Sequence, residues 1–327
     1  YYHLFSAEAG EELESLSEEI SGLLAKFSND LYLNKDLFEK ILHVDNNSSG
    51  NSKDEQRLIK VYLRKFIRNG ADLKEEDKDT LRKIDSDLSA LSPKFSSNLR
   101  QAINNYELWV DKEADLEGLP QMAIDAAKEA ATAKKKKNKW LFTLQSPSMI
   151  PVMRFLKDRR LRQDISTAFS TKCLNGEFDN SDIIKKTVKL KHERAILLGY
   201  KNYAEYVLEE RMAGEVSGVY DLLDRLYDKA YPVAANEIAE LKTFAEAEDG
   251  LKDLQSWDYA YYSEKMKKML FDFDAEELRP YFKSENVING VFEVATKLYG
   301  ITFEKSNDIP TWHDDVQAYK AIDEEGE

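Results

Sequence analysis

The chain has 327 residues, 42% hydrophobic and 33% charged, with 13 glycines, 7 prolines and a net charge of −14. That length carries two or more domains around a well-buried core, and so few helix breakers predict long helices. The acidity speaks against a nucleic-acid partner, whose phosphates demand an excess of Lys and Arg; the single cysteine excludes an internal disulfide framework; and no apolar run approaches the roughly 20 residues of a membrane span.

The opening YYHLFSAEAGEELESL has neither Met nor a signal-peptide pattern. It reads as starting inside a longer protein, which leaves the compartment open, with the cytoplasm favoured over the periplasm. Residues 11–42 have a helical pattern that sets Leu13, Leu16, Ile20, Leu23 and Leu24 on one face, with a turn and a second short helix near its end. The polar Asn/Ser/Gly cluster from His43 to Gln56 reads as a surface loop. A helix over 57–69 stops at Gly70, and a long one covers 75–104. Its seam is Leu81, Ile84, Leu88, Leu91, Phe95 and Leu99, with Pro93 expected to kink it or restart it at Ser92.

YELWV (106–110) and KWLFTLQ (139–145) are short, aromatic and β-branched, and predict two paired strands. Between them Gly118 and Pro120 mark a turn, and an Ala-rich helix ends at the lysines 134–137, which complement its C-terminal partial charge. SPSMIPVM is expected to turn the chain before a helix over 155–171. There Arg154, Arg159, Arg160 and Arg162 either meet a peptide carboxylate or form a solvated face beside acidic neighbours.

Two helices then meet at a corner. Ile184, Val188 and Ala195 space an apolar stripe along the first, which stops at Gly199, and Asn202 with Glu205 has the spacing of a capping box for the second. A long helix over 219–244, kinked at Pro232, follows, and a further helix runs through GVFEVATKLYGITF. VQAYKAI (316–322) alternates like an edge strand, and DEEG resembles a hairpin turn whose second strand is missing.

A zinc peptidase helix needs histidines at i and i+4, a glutamate between them as general base, and a further carboxylate ligand. The four histidines, His3, His43, His192 and His313, are spaced too widely for that. His192-Glu193 begins correctly, but Ile196 stands at the second ligand position. Cys173 has no histidine near it in sequence, and neither a G-x-S-x-G elbow nor a Gly-rich phosphate loop occurs. The residues by themselves describe a helical protein without a self-contained catalytic centre.

Several segments carry a resemblance in order along almost the whole chain: the helix pair 57–91 with its RNG, KWLFTLQSPSMIPVM (139–153), LLGYKNYAEYVLEERMA (197–213), Trp257-Asp258, Tyr261-Tyr262, LRPYF (278–282), LYGITF (298–303), and Trp312-His313 with Asp315-Val316. They resemble the amino-terminal portion of the thimet-oligopeptidase-like zinc peptidases, family M3, on the oligopeptidase A and peptidyl-dipeptidase branch. The resemblance implies a mainly α fold, the long-helix clamshell half of a neurolysin-like metallopeptidase, with a small β-hairpin element and a terminal edge strand. It implies lobes of about 1–68 plus 257–327 and 69–256.

In the family the strand that follows V-x-x-Y and the H-E-x-x-H helix come later, so zinc is expected in the complete enzyme and in none of these residues. The implied partners are short peptides and the missing carboxy-terminal half. Arg279, Tyr281, Phe282, Tyr261 and Tyr262 are substrate-channel candidates, none of them catalytic. The plainer alternative makes LRPYF a turn in which Pro280 opens a helix and the aromatics pack the core. For the chain as a whole, the rival is a stand-alone helical peptide-binding or scaffold module.

Overall fold

The computed structural model describes residues 2–7, 10–272 and 275–327, without the side chains of 2, 6, 11, 14, 18, 275, 276 and 279. In chain order the helices and strands are α1 (Tyr2–Ala7), α2 (Glu11–Tyr32), α3 (Lys35–Asn46), α4 (Lys53–Arg68), α5 (Glu75–Asn104), β1 (Leu108–Val110), α6 (Gln121–Ala133), β2 (Trp140–Phe142), α7 (Ser146–Phe155), α8 (Arg159–Thr171), α9 (Ser181–Leu197), α10 (Tyr203–Leu208), α11 (Val216–Asp249), α12 (Tyr259–Phe271), α13 (Ser284–Tyr299), β3 (Thr302–Ser306) and β4 (Ala318–Ile322). The fold is mainly α, as expected, with two small antiparallel hairpins. Two compact units emerge: Gly10–Ser263, and Tyr1–Ala9 with Glu264–Glu327.

In the larger unit α5 is the central post, packed against α2 and α9. Leu81 and Ile84 are its buried seam residues, whereas Phe95 is exposed. The face that α2 buries is not the leucine row: Ser17, Ser21 and Asn29 are buried, while Leu16, Leu23, Leu24 and Phe27 are exposed. The stripe on α9 departs in the same way, since Ala195 and Leu190 are buried but Ile184 and Val188 face an open concavity of about 330 Å³ beside Leu91 and Phe95.

The main core surrounds the first hairpin. β1 and β2 pair antiparallel, Leu108 opposite Phe142 and Val110 opposite Trp140. Phe142, Val152, Leu156 and Ile165 close over it from β2, α7, α8 and the segment between the two helices. Full burial of side chains this size contributes about 1.5–3 kcal/mol each. A second cluster joins Phe38 of α3 to Phe66 of α4, with Tyr32 edge-on to Phe66 at 5.1 Å.

α5 continues through Pro93 and α11 through Pro232, so no restart occurs at Ser92. SPSMIPVM is not a turn: it begins α7, with Pro147 in the first turn, where a missing N–H costs nothing. The chain turns instead at 156–158, where the Lys157 amide donates to the Glu117 carbonyl at 2.9 Å. Gly118 makes that approach possible. It sits at φ +96°, and a Cβ there would lie 2.2 Å from the Phe155 carbonyl oxygen.

The expected loop after His43 is shorter than it reads. His43 lies in the last turn of α3, and Ser52 and Glu55 form a reciprocal capping box that starts α4.

In the smaller unit α13 ends at Tyr299, with Gly300 left-handed, and LYGITF runs on into β3 rather than staying helical. β3 pairs antiparallel with β4, Thr302 opposite Ile322 and Ser306 opposite Ala318. The terminal strand therefore has a partner that precedes it in the chain. Phe292 of α13 stacks on Phe303 at 4.4 Å and meets Tyr319 edge-on at 4.9 Å, which ties helix to hairpin. After β4 the Asp323 carboxylate accepts from the amides of Glu325 and Glu327, closing a turn.

Candidate functional site

One densely bonded polar group begins with a helix cap. Asp158 accepts from the amides of Arg160 and Leu161 and starts α8. This sets Arg159 and Arg162, three apart, on one helix face. Opposite them stands Asp258, at the entry to α12, whose carboxylate also accepts from the Gln255 amide at 3.0 Å.

Arg159 Nε donates to both carboxylate oxygens at 3.1 Å and its Nη2 to Oδ2 at 2.8 Å, while Arg162 Nη2 donates to Oδ1 at 2.9 Å. Arg162 also donates to the carbonyls of Leu156, Lys157 and Trp257, and its guanidinium lies over the Tyr261 ring at 4.1 Å. Arg162 is 1% and Asp258 0% exposed. Burial would raise the Asp258 carboxyl, yet hydrogen bonds from Arg159, the Gln255 amide and Arg162 hold it below the usual carboxylate range.

This arrangement overturns both readings of Arg162. It neither awaits a peptide carboxylate nor belongs to a solvated face, because its counter-ion is internal. Tyr261 and Tyr262, two of the channel candidates, belong to the same assembly. They meet edge-on at 5.1 Å and are buried, with Phe244 of α11 edge-on to Tyr262 at 6.5 Å. Burial, and then the hydrogen bond with Asp249, push the Tyr262 phenol up to about 12. Held by these donors, the Asp258 carboxylate ties α8 to α12.

A second assembly joins two of the resembling segments. α9 ends in the pattern expected: the Gly199 amide donates to the Ile196 carbonyl and the Tyr200 amide to Ala195, with Gly199 at φ +86°. Asn202 caps α10 through the Glu205 amide, but Glu205 accepts from Lys201 rather than Asn202, so the box is half formed. Arg68, buried at the end of α4, reaches this corner and bonds the Glu209 carboxylate, the Tyr200 hydroxyl at 3.3 Å and the Tyr206 carbonyl at 2.7 Å. Tyr200 donates to Glu209 at 2.5 Å. Burial, and then this bond, push its phenol up to about 12. Arg194 adds a bond to Asp85 at 2.8 Å.

The remaining channel candidates lie in the smaller unit. Tyr281 and Phe282 are 75% and 66% exposed, and they line an apolar concavity of about 530 Å³ with Val287, Gly290, Val291 and Val294 of α13. This corrects the alternative in which they pack a core. Arg279 belongs to the 3-10 turn Ala275–Tyr281, but its side chain lies outside the described residues. The structure thus pairs Tyr261 with Tyr262 and Tyr281 with Phe282, in different units.

The described residues do not fit a zinc ion. Among them no three His, Cys, Asp or Glu side chains converge as a metal site requires, and Ile196 stands one turn beyond His192 on α9. Burial pushes the Cys173 thiol up, away from thiolate reactivity. Among the described residues no helix is long and apolar enough to cross a membrane.

Comparison with known proteins supplies what these ties do not. The profile of peptidase family M3 matches residues 152–327. Oligopeptidase A of Escherichia coli (strain K12) is 35% identical over 332 residues, covering 99% of this chain and 49% of that protein. Dipeptidyl carboxypeptidase of the same strain is 31% identical over 330 residues, covering 100% of this chain and 48% of its own. A protein of Arabidopsis thaliana named probable cytosolic oligopeptidase A is 32% identical over 335 residues, 99% of this chain and 48% of that protein. By name these relatives are peptidases. This chain belongs to peptidase family M3. It spans about half the length of the curated relatives it matches.

Proposed function

We propose that the chain is the amino-terminal part of a zinc-dependent oligopeptidase or peptidyl-dipeptidase that hydrolyses short peptides, and that it is inactive without the rest. The observation that carries this is a match running over 98% or more of this chain while taking in about half of each relative. Zinc would be held by residues outside this chain, and no step of the reaction is assigned to the side chains described above.

In this reading the chain forms part of the substrate channel. Tyr281 and Phe282 are the candidates for touching a peptide, a reading supported by their exposure beside an apolar concavity, with Arg279 close to them in sequence. Tyr261 and Tyr262, buried around Arg162, would hold the wall rather than contact substrate. The lobes 1–68 plus 257–327 and 69–256 are proposed for the complete clamshell, and the cytoplasm is the favoured compartment.

The test compares the purified 327-residue chain with the complete polypeptide on a short quenched peptide. The complete form is expected to cleave it and to lose activity to a chelator, while the chain alone gives no turnover. Chelator-sensitive cleavage by the chain alone would sink the proposal.

A further inference from the structure

Helix α11 carries an apolar row at steps of three and four: Tyr220, Leu223, Tyr227, Ala230, Ala234 and Ile238, continuing to Leu241. Asp221, Arg225 and Asp228 occupy the other side. An amphipathic helix of this kind buries its stripe, because a helix in water is marginal without tertiary packing. At its far end the row obeys: Leu241 and Ala245 are buried in the larger unit. Over 220–240, by contrast, every residue is exposed. The row's uncovered part is about 28 Å long at 1.5 Å per residue. One face of one helix is therefore core at one end and bare at the other.

We infer that this bare stripe is the docking face for the carboxy-terminal remainder of the polypeptide, which continues over Tyr220–Ile238 the core begun at Leu241. Two observations select this occupant. The stripe runs without a break into an interface already built within the chain. The matched relatives extend for about as much sequence again beyond the share this chain covers. The inference rests on the reading of the chain as an amino-terminal part.

The experiment is thiol labelling in a Cys173→Ser background, with single probes at Leu223→Cys and Tyr227→Cys on the stripe and Arg225→Cys opposite. Each is made both in the 327-residue chain and in the complete polypeptide, and circular dichroism checks the helix. The stripe probes should label at least tenfold more slowly in the complete polypeptide, with Arg225→Cys unchanged. The second stripe position guards against one variant misfolding.

Equal rates at both stripe positions in the two polypeptides would overturn the inference. So would protection in the 327-residue chain at every dilution, which assigns the stripe to this chain's own residues, or protection that grows with concentration, which assigns it to a second copy. A reading frame that closes at Glu327 would end it. Peptide cleavage by the same preparations is scored separately. A protected stripe without cleavage defeats the peptidase reading alone, and cleavage with a bare stripe defeats this inference alone.

Discussion

Asp258 holds two arginines from one helix face, and its removal strands the buried Arg162. Leaving one member of a buried ion pair unpartnered costs about 3–5 kcal/mol. Asp258→Ala should lose stability of that order in urea unfolding, far more than removal of the exposed Glu117–Lys157 pair, whose attraction solvent screens. The pH dependence has a definite sign. The folded carboxyl is depressed, so its stabilisation is complete above the unfolded value of about 3.9 and drains away as pH falls through the folded one. The gap between wild type and Asp258→Asn should therefore be widest near neutrality and narrow in acid. Tyr200 and Tyr262 act at the other end of the scale. Raised to about 12, they destabilise the fold as pH climbs above the unfolded value of about 10, and an alkaline absorbance titration should show a late tyrosine fraction.

Glycine shows how one residue type has opposite consequences in different elements. Gly22 sits inside α2 with nothing near its missing Cβ, so Gly22→Ala should stabilise by about 0.5–1 kcal/mol through helix propensity. Gly118 is left-handed and tight against the Phe155 carbonyl, and Gly118→Ala should cost about 1–3 kcal/mol from backbone strain, before any clash is counted. Opposite shifts of melting temperature in the two variants check the pair. At the start of α4, Ser52→Ala removes the capping box and should cost about 1 kcal/mol. The element pattern was largely readable: α5 has the expected limits, β1 and β2 pair, and Gly199 ends α9. Where it failed, as at SPSMIPVM, the local breaker rule met a proline in the first turn of a helix, the position that tolerates it.

The two units are held differently, the larger by a buried core around Phe142 and Ile165, the smaller by a half-buried aromatic cluster of Phe292, Phe303 and Tyr319. Unfolding should therefore depart from two-state behaviour. Trp312 is the one tryptophan in the smaller unit's residues, with Trp109, Trp140 and Trp257 in the larger. A variant retaining only Trp312 should show a fluorescence midpoint different from that of far-UV circular dichroism, whereas coincident curves would show one cooperative block. By itself, the sequence determined the helical class, the helix limits set by glycines and caps, and the family, because these depend on neighbours a few residues apart or on ordered motifs. The tertiary structure alone decided that serines rather than leucines of α2 are buried, that Asp258 is the counter-ion of Arg159 and Arg162 some 96 to 99 positions away, and that β4 pairs with β3. Those outcomes depend on which faces meet, and periodicity along a chain names a face without naming what will lie against it.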